Sequence, residues 1–207
     1  MTLTETPRAP KQDRSRDTRD RILETAMDCL VTRGWQGTTT LVVADLSGVS
    51  RGALQHHFPT REDLVDGVLG HMYENRISGQ FTINTVVPEG LDVFDFLVEQ
   101  VLGYYASDHF KAALQIWTAA TGNKHLQEQL VPYERRFARA LYDQAVAALD
   151  ADVSDERTHR LIQSTLDLAR GLGLADVLSD DSHRRKSITQ FWAGELRSIK
   201  RLGSANE

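Results

Sequence analysis

The sequence predicts an all-α protein in which three short helices precede a larger helical body. Three observations carry this. Apolar residues recur at three- and four-residue spacing along most of the 207-residue chain. Capping residues and Gly or Pro breaks punctuate those stretches. No strong strand signal occurs, although FTINTVV (81–87) is β-prone.

Each element is justified in turn. Residues 1–16 are rich in Pro, Arg, Lys and polar side chains and are expected to be a disordered basic arm. Asp17 or Thr18 can cap a helix from about residue 19 to 33, whose inward stripe is Ile22, Ala26, Cys29 and Leu30. Gly34 is a C-terminal stop, and Trp35 folds back as a core anchor. GTTT (37–40) supplies a loop and a cap for a helix over 41–46. Ser47 to Ser50 make a turn, and Ser50 caps a helix ending near Phe58 and Pro59. Thr60 caps a longer helix to about Ile77, with Glu62 and Asp63 in its first turn, where acids suit the helix dipole. Further helices are expected over 91–106, 108–121, 124–149, 155–178 and 183–201, and Pro132 is a possible kink or split in the third of these.

Composition narrows the class. With 41% hydrophobic and 26% charged residues the chain is ordinary for a globular protein. Its single cysteine excludes an internal disulfide framework and fits a reducing compartment. No run of about 18 apolar residues predicts a membrane span, and the polar N-terminus lacks the apolar core of a secretory signal. A soluble cytoplasmic protein is expected. Residues 1–61 carry a balance of +2 and the remainder −7, so a mildly basic front end sits on an acidic body.

The stretch DLSGVSRGALQHHF (45–58) carries the chemistry. At 100° per residue, Leu54 and Phe58 face inward. Gly52, Ala53 and His56 fall opposite, with Arg51 and Gln55 on the flanks. A helix stripped of bulk on its outer side suits the major groove, about 12 Å wide, where the axis must approach the bases closely. Ala44 lets two helices cross closely, and Gly48 permits a turn at positive φ. The other reading of the same wheel is an αα corner with a solvated polar face.

Residues 18–69, and GVSRGALQHHFPTREDL within them, resemble the N-terminal DNA-binding domain of the TetR family of transcriptional regulators. The run is helix, Gly-aromatic break, Thr-rich cap, helix-turn-helix, then F-P-x-[KR]-E-x-L. The resemblance implies a helix-turn-helix domain over 17–62 and a ligand-binding and dimerisation domain over 63–207. It also implies that two copies read a palindromic double-stranded DNA operator as a homodimer. Carried over, Ser50, Arg51, Gly52, Ala53, Gln55 and His56 lie on the groove-facing helix. There Arg51 can fork onto guanine and Gln55 can pair with adenine. Thr39, Thr40, His57 and Arg61 match positions that contact the DNA backbone, and Thr60 starts a helix whose amides can approach a phosphate. The family commonly has Tyr where this chain has Gln55, so a relative's operator does not transfer. Arg8, Lys11, Arg14 and Arg16 belong either to an arm that enters the minor groove or to a solvated tail.

In the resembling family two C-terminal helices form a four-helix dimer interface and the others enclose an effector. Here 160–178 and 187–202 carry apolar stripes that serve either as a dimer face or as intramolecular core. Leu168, Leu172, Phe191, Trp192 and Leu196 are assigned to the dimer face, and Gly171 and Gly173 permit close helix approach. Met72, Phe94, Leu97, Tyr104, Leu114, Trp117 and Phe137 are assigned to a pocket for an apolar or aromatic small molecule, although aromatic residues at helical spacing also serve as core. Gln100, Gln115 and His71 are its polar handles.

Rival classes lack signatures. None of the seven histidines stands in a His-x3-His pair, so no metal site is assigned. No G-x-S-x-G, H-E-x-x-H or phosphate-loop pattern occurs, so no catalytic residue and no cofactor are assigned and the chain is not expected to be an enzyme. Asp167 with Arg170, and Glu134 with Arg135, read as helix-surface charges. A third class, an interaction protein that keeps the fold without binding DNA, would be favoured if Arg51→Ala and Gln55→Ala left genomic localisation untouched. The expected protein is a ligand-responsive repressor, with activation open because sign depends on operator position.

Overall fold

A computed structural model describes residues 11–77 and 86–203 of the chain. The β-prone stretch at 81–87 falls largely outside the described residues, as does the arm up to residue 10. Two compact units divide between His71 and Met72, nine residues later than the domain limit expected from the resemblance.

The first unit begins with α1 (Lys11–Gly37). Residues 11–16 are therefore helical and not part of a disordered arm. Asp13 in the first turn suits the dipole, and Thr18 Oγ1 bonds back to the Arg14 carbonyl at 2.7 Å. Ile22, Leu23, Ala26, Cys29 and Leu30 are buried along one stripe. Gly34 breaks the helix without ending it: its φ of 67° kinks the chain, and one more turn follows to Gly37. Next come α2 (Thr40–Leu46), α3 (Arg51–His57) and α4 (Arg61–Ile77), whose residues from Met72 onward fall in the second unit. Thr60 and Asp63 close a reciprocal box at the head of α4: the Asp63 N–H donates to Thr60 Oγ1 at 3.0 Å and the Thr60 N–H to Asp63 Oδ2 at 2.9 Å.

The second unit holds α5 (Val93–Tyr105), α6 (Asp108–Ala120), α7 (Lys124–Leu149), α8 (Glu156–Asp176) and α9 (Ser182–Leu196). α5 is its centre and packs against the other four. It is apolar nearly all round, with Phe94, Leu97, Val98, Val101, Leu102, Tyr104 and Tyr105 buried. Pro132 neither splits nor ends α7, which runs through it as one helix. α9 stops at Leu196, five residues before the expected end. The chain beyond it turns back instead, and Ala151 and Arg201 form an antiparallel bridge. Leu202 N–H donates to the Asp150 carbonyl at 2.7 Å, Arg201 Nε to the Leu149 carbonyl at 2.9 Å, and Lys200 Nζ pairs with Asp152 at 2.8 Å. This clasp gives the chain hydrogen bonds that a continued helix would have supplied.

Candidate nucleic-acid interface

The local chemistry of residues 39–60 sets the shape of the candidate surface. Thr39 caps α2, its hydroxyl accepting from the Val42 N–H at 3.2 Å. Val43 and Ala44 point inward. Ser47 is buried and donates to the Val43 carbonyl at 2.6 Å. Gly48 takes φ 67°, and the Val49 N–H then reaches the Ala44 carbonyl at 3.1 Å. A side chain at position 48 would be strained in that conformation. Ser50 caps α3 by accepting from the Ala53 N–H at 3.1 Å.

The wheel drawn from the sequence is observed at every position but Ala53. Leu54 and Phe58 are buried and anchor α3. Arg51, Gly52, Gln55 and His56 are exposed, and Ala53 and His57 are half-buried. A Cβ on Gly52 would meet nothing, so the outer side of α3 is bare. A cleft of about 280 Å³ opens between the start of α2 and α3, lined by Thr40, Leu41, Arg51 and Gln55 over a floor of Leu54 and Phe58. Leu41 is half exposed there, an apolar group beside hydrogen-bonding ones, which sequence reasoning did not single out. Desolvation, and after it the neighbouring His56 and Arg19, push His57 below the usual 6.5. Its imidazole is therefore neutral at neutral pH and offers one donor and one acceptor.

Arg61 differs from the expected backbone contact. Its guanidinium lies 4.3 Å over the Trp35 ring and donates from Nη2 to the Trp35 carbonyl at 2.6 Å. It is turned inward, joining the head of α4 to the turn after the Gly34 kink by one stacking contact and one hydrogen bond, while its buried Nε has no hydrogen-bond partner among the described residues. Thr60 is exposed, with its hydroxyl donated to Asp63 at 2.7 Å.

In the body the assigned residues separate. Met72, Phe94, Leu97, Tyr104 and Phe137 are buried and Leu114 and Trp117 half-buried. Tyr104 packs on Tyr105 and Phe137 at 5.0 and 4.9 Å, and Trp117 meets Phe110 edge-on at 5.9 Å. None of the seven lines the cleft between α5 and α9 or the cleft between α7 and α8. One cleft, of about 310 Å³, lies between α5 and α9; the other, of about 420 Å³, lies between α7 and α8.

The residues assigned to a dimer face need correction. Leu172 and Leu196 are 5% and 0% exposed and belong to the body's own core. Leu168 and Trp192 pack against that core, and Trp192 Nε1 donates to Thr165 on α8 at 2.9 Å. Of the five, Phe191 is open, at 67% exposure. Leu174 on α8, and Val177 and Leu178 just past its end, are exposed as well. Gly173 does permit close approach, since a Cβ there would overlap the Tyr105 carbonyl, whereas Gly171 faces open space.

Residues 22–68 match the model of bacterial regulatory proteins of the tetR family. The HTH-type transcriptional regulator CymR of Pseudomonas putida is 24% identical over 183 residues, covering 87% of this chain and 90% of that protein. The HTH-type transcriptional repressor KstR2 of Mycolicibacterium smegmatis is 40% identical over 63 residues, about 30% of either chain. Among solved structures, the multidrug binding protein EbrR complexed with imidazole superposes with a TM-score of 0.60 at 19% identity, over 91% of this chain and 98% of that one, a likeness of fold.

Proposed function

The chain belongs to the TetR family of DNA-binding transcriptional regulators, and on that premise we propose that it is a repressor that binds a palindromic operator as a homodimer and is released by an apolar or aromatic small molecule. The observation that carries the reading is the bare, exposed outer side of α3, flanked by Arg51 and Gln55 and anchored from beneath by Leu54 and Phe58. Arg51 forks onto a guanine and Gln55 pairs with an adenine in the major groove. Thr39, Thr40 and the amides at the head of α4 meet phosphates and set the register, with Ser50, Gly52, Ala53, His56 and His57 close to the duplex.

Pairing of two chains through Phe191, Leu174, Val177 and Leu178 would present two α3 helices to successive major grooves, about 34 Å apart on one side of the duplex. A ligand that favours a body in which that spacing is wrong weakens DNA binding by its difference in affinity for the two states. EbrR was solved with imidazole, which supports a small-molecule site in bodies of this fold.

The test is selection of bound duplexes from a random pool with the full chain. A two-fold symmetric consensus is expected, and Arg51→Ala and Gln55→Ala should each lower discrimination at one position of it by about 1–3 kcal/mol. No enrichment over competitor duplex at physiological salt would defeat the reading.

A further inference from the structure

Arg170 forms the helix-surface pair with Asp167 that the sequence suggests, and it also makes contacts beyond α8. From α8 its guanidinium reaches inward, 5.8 Å from the Tyr105 ring centre and 5.9 Å from that of Trp117. Nη1 pairs with Asp167 at 3.0 Å, and Nη2 makes only a long contact of 3.5 Å to the Tyr105 hydroxyl. Nε is buried and has no hydrogen-bond partner among the described residues. The same holds for Nε1 of Trp117. Buried donors without acceptors cost about 1–3 kcal/mol each; of the two residues Arg170 alone lines a cleft, and its guanidinium is the group a ligand there can reach. Burial works against the Arg170 charge, but Tyr105, Asp167 and Glu134 together outweigh it and hold its pKa above the usual value. The group is a permanent cation.

That cleft is the one of about 420 Å³ between α7 and α8. That volume lies within the range of small-ligand sites. Arg139 contributes a second cation to it, and Leu166 and Ala138 an apolar floor. At one end Tyr142 and His159 are tied by a 2.6 Å hydrogen bond, their rings edge to face. Asp167 is the carboxylate in the lining. Its bond to Arg170, and that of Asp143 to Arg139 at 2.9 Å, are exposed pairs within one helix. Such pairs contribute only about 0.2–0.5 kcal/mol, so an incoming acid that takes over either arginine displaces little.

We propose that the α7–α8 cleft is a binding site for a small organic carboxylate with an aromatic body, its carboxylate held by Arg170 and its ring on the apolar floor. A half-buried guanidinium beside aromatic rings binds a carboxylate through charge-assisted hydrogen bonds, whereas a neutral acceptor satisfies the donors without the charge. Arg139 adds to the field at the mouth. The site narrows the ligand class of the proposed repressor and rests on that reading only for the release of DNA.

The test uses the full chain, with benzoate, phenylacetate and 3-phenylpropionate as probes, each beside its primary amide, and phenyl phosphate as a separate arm. Calorimetric titration and thermal shift read binding. At least one acid is expected to bind about tenfold or more tighter than its amide. Arg170→Gln should remove that preference, and Arg139→Gln should reduce it a few-fold. Should Arg170→Gln fail to fold, Arg170→Lys, which keeps charge and loses the fork, should still cut the preference. Equal binding of acids and amides, no binding of any acid, a preference that survives both arginine changes, or binding of phenyl phosphate alone would each overturn the assignment. Operator release is read separately by anisotropy on the selected duplex. An acid that binds without releasing DNA supports the cleft and removes the effector role. Failure to select any duplex removes the repressor reading and leaves the cleft test intact.

Discussion

A Cβ built on Gly67 would lie 2.6 Å from Phe58 Cε1 and 3.1 Å from Leu23 Cδ2, on the ring that anchors the end of α3. A methyl group there has to displace a buried aromatic, and overpacking of this kind costs about 1–3 kcal/mol, against a helix-propensity gain of about 1 kcal/mol. Gly67→Ala should therefore lower the melting temperature of the chain and weaken DNA binding, as chemical denaturation and duplex anisotropy would read. The two glycines of α8 make a sharper pair. Gly173→Ala drives a methyl into the Tyr105 carbonyl of α5 and should destabilise the body, while Gly171→Ala meets nothing and should stabilise the helix by about 0.5–1 kcal/mol. Equal melting temperatures for the two variants would contradict the packing described. From the sequence the pair looks alike, because a spacing of two residues separates inner and outer faces of a helix only once its partner is known.

Between elements, the clasp after α9 has a pH signature. The Lys200 hydrogen bond, and after it those of Ser154, hold the Asp152 carboxyl at about 2, below its ordinary 3.8. A depressed carboxyl contributes stability above its unfolded pKa and loses it as pH falls through the folded one. The contribution of Asp152 should thus be complete above about pH 4 and fade toward pH 2, and Asp152→Asn should flatten the acid limb of a stability-versus-pH curve in that window. Identical limbs for both proteins would remove the clasp from the account. Most elements were legible beforehand for a physical reason: helices advertise themselves by stripe and cap, and Ser50 caps where the sequence placed it, while the GTTT stretch supplies Thr39 as cap to a helix that starts one residue earlier than expected. The helix over 11–16, the run of α7 through Pro132 and the early stop of α9 were not legible. The first two depend on how much a helix already in place offsets poor local residues, and the third on a bond to residues fifty positions away. The candidate DNA surface was readable because its logic is local to fourteen residues. The ring contacts of Arg61 and Arg170 were not legible because a cation's distant partners are chosen by tertiary contact, here Trp35 in one unit and Tyr105 with Trp117 in the other.

For the whole molecule the decisive question is what covers the apolar groups left outside. Leu178 and Phe191 are 91% and 67% exposed, with Leu174 and Val177 beside Leu178 in sequence, whereas Leu172 and Leu196 are spent inside the body. These two sets separate assembly from folding. Leu196→Ala removes a core side chain and should cost about 2–5 kcal/mol of stability, whatever the chain pairs with. Leu178→Asp with Phe191→Arg removes nothing from the core, so far-ultraviolet circular dichroism should hold. If the exposed set is the dimer face, two charges placed there each lose their water on association, and sedimentation should show a monomer. The effect on DNA then follows from linkage. A dimer gains its second half-site at the effective concentration set by the first, a factor of about 10²–10⁴ in affinity. The double variant should lose that factor on the full palindrome and keep the affinity of the wild-type chain for an isolated half-site. A double variant that still sediments as a dimer, or that binds the full site as the wild type does, would move the interface elsewhere on the body and leave these four side chains without a partner.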